Sequence, residues 1–177
     1  MNAITIANEF VRLAKEEQSK RLTPLLLMKL TYIAYGFGLV LIPDEPMIDP
    51  RFDKVEAWRL GPVIPSVYHT FKSFGANAVT DYGIIFRSEG ADGTPCTETP
   101  MMTDKDEMPR SIVRMTWRRY HSCSASDLVT ILHGVGTPWQ LTYRVGENRE
   151  IPEHLTRRYY EILVGRILNK ARNEGRY

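Results

Sequence analysis

Cysteines and long apolar runs are both scarce in this chain, and each scarcity excludes a class of protein. Two cysteines, Cys96 and Cys123, are too few for the disulfide framework of a small secreted domain, so reduced thiols in a cytoplasm are expected. Residues 1–9 lack the basic segment followed by an apolar one that marks a signal peptide. The length of 177 residues predicts a single domain over residues 1–177, without a membrane span.

The chain also lacks the residue patterns of common catalytic and metal sites. It has no phosphate-binding glycine loop, and its cysteines and histidines never occur as two closely spaced pairs. Cys123 with His121 or His133 could in principle form a thiolate–imidazole pair, but His121 and Cys123 are too close in sequence for the usual geometry. We therefore expect a protein that is not an enzyme, with no catalytic residue, metal or cofactor.

Net charge is small, but it is divided unevenly along the chain. Residues 1–109 carry 11 Lys and Arg against 15 Asp and Glu, whereas residues 110–177 carry 12 against 6. The basic C-terminal third is compatible with an acidic partner, with nucleic acid, or with long side chains that solvate outer helix faces. Its arginines are interleaved with aromatic residues, a mixture that nucleic-acid and protein interfaces both favour.

Periodicity and capping signals predict a mainly α fold, a compact domain of about six helices with a small β-hairpin or sheet element. Thr5 is predicted to cap the first helix, and Thr23-Pro24 to open a second, apolar helix at the centre of the fold. Ser124 and Asp127 form a capping box for a helix with Leu128, Ile131 and Leu132 inward. A long last helix follows Pro152, and its predicted apolar face consists of Leu155, Tyr159, Ile162, Leu163 and Ile167.

The predicted β element lies between residues 80 and 102. Tyr82, Ile84 and Phe86 alternate with other residues, and residues 90–93 carry glycines suited to a turn. This pattern indicates a hairpin.

Residues 55–75 are read as strand, turn and helix. Gly61-Pro62 is the breaker, Gly75 ends the helix, and one helix face is predicted to carry Val63, Val67, Phe71 and Phe74. On the strand, Glu56 and Trp58 share one face, while Arg59 lies on the other. Trp58, Arg59 and Tyr68 are residue types that dominate binding hot spots, so we predict a partly open site here.

Three stretches resemble the Panacea domain of the SocA-like, phage-associated antitoxin family. Residues 56–68, EAWRLGPVIPSVY, are similar to the family signature E-A-W-x-x-G-P-V-x-P-x-V-Y. Residues 29–36 match a K-L-x-Y-x-A-x-G pattern, although Met28 stands where the family usually has Gln. Residues 127–139 are similar to a third segment, which ends in Pro138-Trp139.

The resemblance implies a non-enzymatic antitoxin that neutralises a toxin encoded by a neighbouring gene through direct protein contact. One family member is an adaptor that delivers its toxin to an AAA+ protease, so a protease such as ClpXP is a second expected partner. The predicted partner-binding residues are Trp58, Arg59, Tyr68, Lys29, Tyr32, His133 and Trp139. The residues predicted to shape the motif are Glu56, Gly61, Pro62, Pro65 and Pro138.

Two of these assignments have structural alternatives, and the function has an alternative from another class. His133 also fits a capping or core-edge role, and Trp139 also fits packing on the junction before its helix. The competing function is a phage- or prophage-encoded nucleic-acid-binding regulator that uses the basic C-terminal helices. The modest net charge and the lack of a recognisable DNA-reading motif argue against a nucleic-acid partner.

Overall fold

The computed structural model of this protein describes residues 1–87 and 96–175. Seven α-helices, five short strands and a 3₁₀ turn at Lys72–Phe74 lie within those ranges. The helices are α1 (Ala3–Glu16), α2 (Pro24–Leu41), α3 (Pro65–Phe71), α4 (Glu107–Tyr120), α5 (Ala125–Leu132), α6 (Pro138–Thr142) and α7 (Glu153–Asn173). The strands are β1 (Glu56–Trp58), β2 (Gly61–Val63), β3 (Ile85–Arg87), β4 (Cys96–Glu98) and β5 (Arg149–Glu150). The prediction of a mainly α fold with a small β part is confirmed.

Helix α2 is the centre of the molecule. The side chain of Thr23 caps it by accepting a hydrogen bond from the backbone N–H of Leu26, and Pro24 occupies its first turn. Nearly every residue of α2 up to Leu39 is buried, because α1, α3, α4, α5, α7 and β2 all pack against it. The predicted start and central position of this helix are confirmed.

The strands form two small antiparallel sheets. The first has the order β2-β1-β5, with Trp58 opposite Gly61 and Glu56 opposite Val63. The second pairs β3 with β4, which confirms the hairpin predicted between residues 80 and 102. The predicted turn at residues 90–93 lies outside the described residues.

Four local predictions are wrong, each for a tertiary or capping reason. Asn2, and not Thr5, caps α1, because the backbone at Asn2 is extended and its side chain accepts from Thr5 N–H at 2.8 Å. Val63 belongs to β2 and not to the helix, since residues 61–63 pair with β1. Arg59 lies in the turn beyond β1, and Ile131 is 47% exposed because α5 faces the core through Leu128 and Leu132.

The buried face of α7 is also rotated from the predicted one. Thr156 and Tyr160 are its buried residues, whereas Ile162 is 49% exposed. Tyr159, Leu163 and Ile167 are partly buried at the edges of that face. The ring of Tyr160 thus determines which side of α7 packs against α2.

Candidate functional site

The hairpin of β1 and β2 presents a two-residue tip. Trp58 pairs with Gly61 across the hairpin, so Arg59 and Leu60 form its turn, and both are exposed. Gly61 has a φ of +105°, a backbone conformation that residues with a Cβ rarely adopt. Glycine at position 61 therefore allows the tight turn that carries Trp58 and Arg59.

Trp58 is held in place by hydrogen bonds at its ring and its backbone. Its indole Nε1 donates to Glu56 Oε2 at 2.7 Å, as expected for two residues on the same strand face. Its ring lies edge-on to Tyr68 of α3, with ring centroids 4.9 Å apart. Its backbone oxygen accepts a 2.7 Å hydrogen bond from Trp139 Nε1 of α6. The half-buried indole is thus fixed in one orientation.

Trp139 lies within a stack of three rings. The His133 ring is parallel to its indole at 3.6 Å between centroids, and Tyr143 stacks on it at 4.6 Å. Local capping places this stack: Thr137 Oγ1 accepts from Gln140 N–H, and Pro138 occupies the first turn of α6. The hydrogen bond from Trp139 to Trp58 then joins the stack to the hairpin. We call the set of Trp58, Arg59, Leu60, Tyr68, His133, Trp139 and Tyr143 the aromatic surface.

A buried amine lies beneath the hairpin. Lys29 of α2 is 0% exposed, and its Nζ donates to the backbone oxygen of Pro62 at 3.0 Å. Burial lowers the pKa of Lys29 to about 7, because the charged ammonium loses its hydration there. A Cβ added at Gly61 would lie 3.1 Å from Lys29 Nζ and 3.4 Å from His133 Nε2. Lys29, Gly61 and His133 therefore meet at one point.

His133 is the least satisfied polar group of this site. Its Nε2 is buried and has no hydrogen-bond partner within the described ranges, although part of the ring is exposed. Burial, and then the charge of Lys29, lower the pKa of His133. The neutral form of the His133 imidazole is therefore favoured at this position beside the buried Lys29 amine.

The structure brings most of the predicted site residues together. Trp58, Tyr68, His133 and Trp139 are joined by the contacts above, and Arg59 projects from the same hairpin. Glu56, Gly61 and Pro62 form the hairpin itself. Pro65 and Pro138 occupy the first turns of α3 and α6.

Two predicted partner-binding residues do not fit a direct contact. Lys29 is 0% and Tyr32 is 1% exposed, so neither side chain offers surface to another protein. Tyr32 also lies away from the aromatic surface: its hydroxyl is 3.5 Å from Thr156 Oγ1, and its ring is edge-on to Tyr160 of α7. Both residues support the fold beneath or behind the site.

Sequence reasoning missed Leu60 and Tyr143. Leu60 is 44% exposed at the hairpin tip. Tyr143 follows Trp139 by four residues, a spacing that aligns side chains on a helix and could have identified it.

The arrangement offers stacking surfaces and hydrogen-bonding groups. Within residues 1–87 and 96–175, no group of three or more His, Cys, Asp or Glu residues could hold a metal ion. His121 Nδ1 lies 3.0 Å from the Trp117 backbone oxygen, and His133 stacks on Trp139, so these contacts do not pair either ring with Cys123.

Helix α2 is long and apolar enough to cross a membrane by length and composition. However, 83% of its residues are buried inside the protein, as expected for the core helix of a globular fold.

Comparison with known proteins identifies the family. The family described as "Antitoxin SocA-like, Panacea domain" matches residues 27–140, which include every residue of the aromatic surface except Tyr143. "Antitoxin SocA" of Caulobacter vibrioides (strain NA1000 / CB15N) is 32% identical over 117 residues, which are 66% of this chain and 57% of that relative. No solved structure matches. With more than half of its length matched, the chain belongs to the antitoxin SocA-like, Panacea-domain family.

Proposed function

We propose that this protein is an antitoxin that neutralises a cognate toxin by binding it through the aromatic surface. The observation that carries the proposal is the family match over residues 27–140, together with the relative named as an antitoxin. The relative is longer than the aligned segment, so the role is proposed for this chain on the matched part. A location in the cytoplasm stays a prediction.

The geometry of the aromatic surface supports a role in protein binding. Trp, Tyr and Arg are the residue types that contribute most to hot spots, and Trp58, Tyr68 and Arg59 lie together here. The hydrogen bonds from Trp58 to Glu56 and from Trp139 to Trp58 hold the two indoles in place before any partner arrives. Binding therefore orders few side chains, which reduces its entropic cost.

Inhibition could follow from occlusion of the toxin or from its delivery to an AAA+ protease such as ClpXP. Both routes begin with direct contact between this chain and the toxin, so the aromatic surface serves either one. They differ in the fate of the toxin, because occlusion leaves it intact in a complex and delivery lowers its amount.

Co-expression with the product of the neighbouring gene tests the proposal. We expect that product to arrest growth when expressed alone, and this protein to restore growth and to co-purify with it. Restored growth with a lower toxin level, reversed in a host that lacks the protease, would identify delivery. A toxic neighbour that this protein neither binds nor counteracts would contradict the proposal.

A double variant at the hairpin tests the surface. We expect Trp58→Ala with Arg59→Ala to abolish neutralisation, because it removes the central indole and the exposed cation at the tip. The matched control is Arg51→Ala with Phe52→Ala, an arginine and an aromatic ring in contact with each other and exposed in the preceding loop. Circular dichroism must show that both variants are folded.

A tip-only variant separates binding from packing. Trp58→Ala also removes the ring that packs on Tyr68 and the donor of the hydrogen bond to Glu56, so Arg59→Glu alone is the cleaner change, since Arg59 is exposed in the turn. It should weaken the complex without altering the melting temperature. Full neutralisation by a folded Trp58→Ala, Arg59→Ala protein would exclude the aromatic surface as the site.

A further inference from the structure

A concave surface separate from the aromatic surface lies on the side of α2 that faces α4 and α7. It is a groove of about 660 Å³ with an apolar floor and a basic wall. The floor residues are Met115, Ile167 and Phe37, of which Phe37 is only 2% exposed, and the wall residues are Arg114, Arg118 and Arg119. None of them belongs to the aromatic surface, and Phe37 is eight residues, about 12 Å, further along α2 than Lys29.

Two of these arginines have no partner in the part of the chain that the structure describes. Arg114 and Arg118 lie one turn apart on α4, are exposed, and form no ion pair or hydrogen bond with a described residue. Three arginines elsewhere in the protein are engaged: Arg12 and Arg110 approach the buried Glu9, and Arg157 pairs with Glu153. The groove thus keeps free cations beside apolar surface.

The remaining charges near the groove do not neutralise these cations. Arg119 is directed toward its neighbour, with Nε donating to Tyr120 Oη at 3.1 Å. Glu16 and Glu17 line an adjoining hollow together with Arg114 and Arg118. However, Glu16 is paired with Arg12, and neither carboxylate is within ion-pair distance of the two free arginines.

The apolar floor and the basic wall together restrict the kind of ligand that this groove can bind. A phosphate backbone would use the arginines but would gain little from Met115 and Ile167. An amphipathic helix uses both, since its apolar stripe covers the floor and its carboxylates reach the wall. The i, i+4 spacing of Arg114 and Arg118 also matches carboxylates one turn apart on such a helix.

We propose that this groove binds an acidic amphipathic helix of a partner protein. The apolar face of that helix packs on Met115 and Ile167, and its carboxylates pair with Arg114 and Arg118. The proposal does not depend on the antitoxin role, because it rests on a separate surface. A protein that has lost this groove can still neutralise a toxin through the hairpin.

Fluorescence anisotropy with defined peptides tests the proposal. The probe is a labelled helical peptide of about five turns, roughly 18 residues, with Leu on one face and Glu on the other. One control peptide carries Lys in place of every Glu, and a second has the same composition in scrambled order. We expect the acidic amphipathic peptide to bind and the Lys peptide not to bind. The scrambled peptide should have a Kd at least about tenfold higher than the amphipathic one.

A charge-reversed protein identifies the site. Arg114→Glu with Arg118→Glu should weaken binding of the acidic peptide by about tenfold or more, because attraction becomes repulsion. The matched control, Lys105→Glu with Arg158→Glu, makes the same change in net charge at exposed positions outside the groove. Both pairs are on the surface, so unchanged melting curves are expected.

Three results would overturn the proposal. Equal binding of the Lys peptide or of the scrambled peptide would show that charge or amphipathic order does not matter. An equal loss in both charge-reversed proteins would show that net charge alone acts. Tighter binding of a short DNA duplex, lost with Arg114→Glu and Arg118→Glu and steeply salt-dependent, would assign the arginines to nucleic acid.

Discussion

Gly36, Tyr32 and Lys29 show why the α2 signature takes its form in this protein. A Cβ added at Gly36 would lie 2.2 Å from the ring of Tyr160, so only glycine lets α7 approach this closely. Tyr32 meets the same ring edge-on, at 6.2 Å between centroids. Lys29 supports the hairpin through Pro62. These residues contribute to the site by packing and positioning.

Gly61 leads to a stability prediction. Its positive φ strains any residue with a Cβ, at a cost of about 1–3 kcal/mol, and the added atom would also press on Lys29 Nζ at 3.1 Å. Gly61→Ala should therefore lower the melting temperature by several degrees, and Gly61→Val by more. Thermal unfolding followed by circular dichroism measures both changes.

Gly136 provides the matched control for Gly61. It also has a positive φ, +81°, but a Cβ added there meets no atom within 4 Å. Gly136→Ala therefore reports the backbone strain alone, and the larger loss at Gly61 reports the crowding at Lys29. An unchanged melting temperature in Gly61→Val would instead indicate that Gly61 serves a partner directly.

The buried Lys29 predicts a pH dependence of stability. Its pKa in the folded protein is about 7, against an ordinary value of 10.5, so between these values the unfolded chain binds a proton that the folded protein does not. The contribution of Lys29 to the free energy of unfolding then rises with pH from about 7 to 10.5, at no more than about 1.4 kcal/mol per pH unit. The cost of burying the charged amine is absent above pH 10.5 and grows as the pH falls toward 7.

Comparison with Lys29→Met isolates this effect, because methionine keeps most of the length of the side chain without the charge. We expect the wild-type protein to gain stability relative to Lys29→Met as the pH rises from about 7 to 10, measured by denaturant unfolding. The exposed Lys72→Met is the control and should give a constant difference. Parallel curves for wild type and Lys29→Met would show that Lys29 carries no such proton linkage.

At the scale of single elements, the features read correctly from the sequence are those set by local contacts. Thr23-Pro24 and Thr137-Pro138 begin α2 and α6 as predicted, and Ser124 with Asp127 forms the expected capping box. In each case the cap and its target lie within three residues. Local spacing alone therefore predicts these helix starts.

Features set by distant contacts were not predictable in the same way. Strand β2 exists because Gly61–Val63 pairs with β1, and its short apolar sequence is equally compatible with the start of a helix. The orientation of α7 depends on the fit of Tyr160 to Gly36, 124 residues earlier in the chain. Periodicity gives α7 an apolar side but does not select Tyr160 over Ile162 as its centre.

The candidate site, too, could be predicted from the sequence only in part. Its first strand, its Gly61-Pro62 turn and its aromatic residue types were visible in the sequence, so Trp58, Tyr68 and Trp139 could be singled out, but the pairing of β1 with β2 was not predicted. The links between them span 10 to 81 residues, as in the hydrogen bond from Trp139 Nε1 to Trp58, and no local pattern predicts those. Burial of Lys29 and Tyr32 likewise follows from the elements that surround α2.

For the whole molecule, the core extends beyond the part that defines the family. The family match covers residues 27–140, whereas α1 and α7 lie outside it and both pack on α2. Tyr160 is 2% exposed and contacts Tyr32 and Phe37, whose rings would face water without α7. The matched region alone therefore leaves a large apolar surface of α2 uncovered.

Truncation tests whether α7 is an integral part of the fold. A chain that ends at residue 152 lacks α7 and exposes several large side chains, each worth about 1.5–3 kcal/mol of burial, which together approach the whole stability of a typical domain. We expect it to be insoluble or to unfold without a cooperative transition. A chain that ends at residue 169 removes only the exposed end of α7 and the residues after it, so it should melt close to the full-length protein. Cooperative melting of the shorter chain near the wild-type temperature would show that the Panacea region folds without α7.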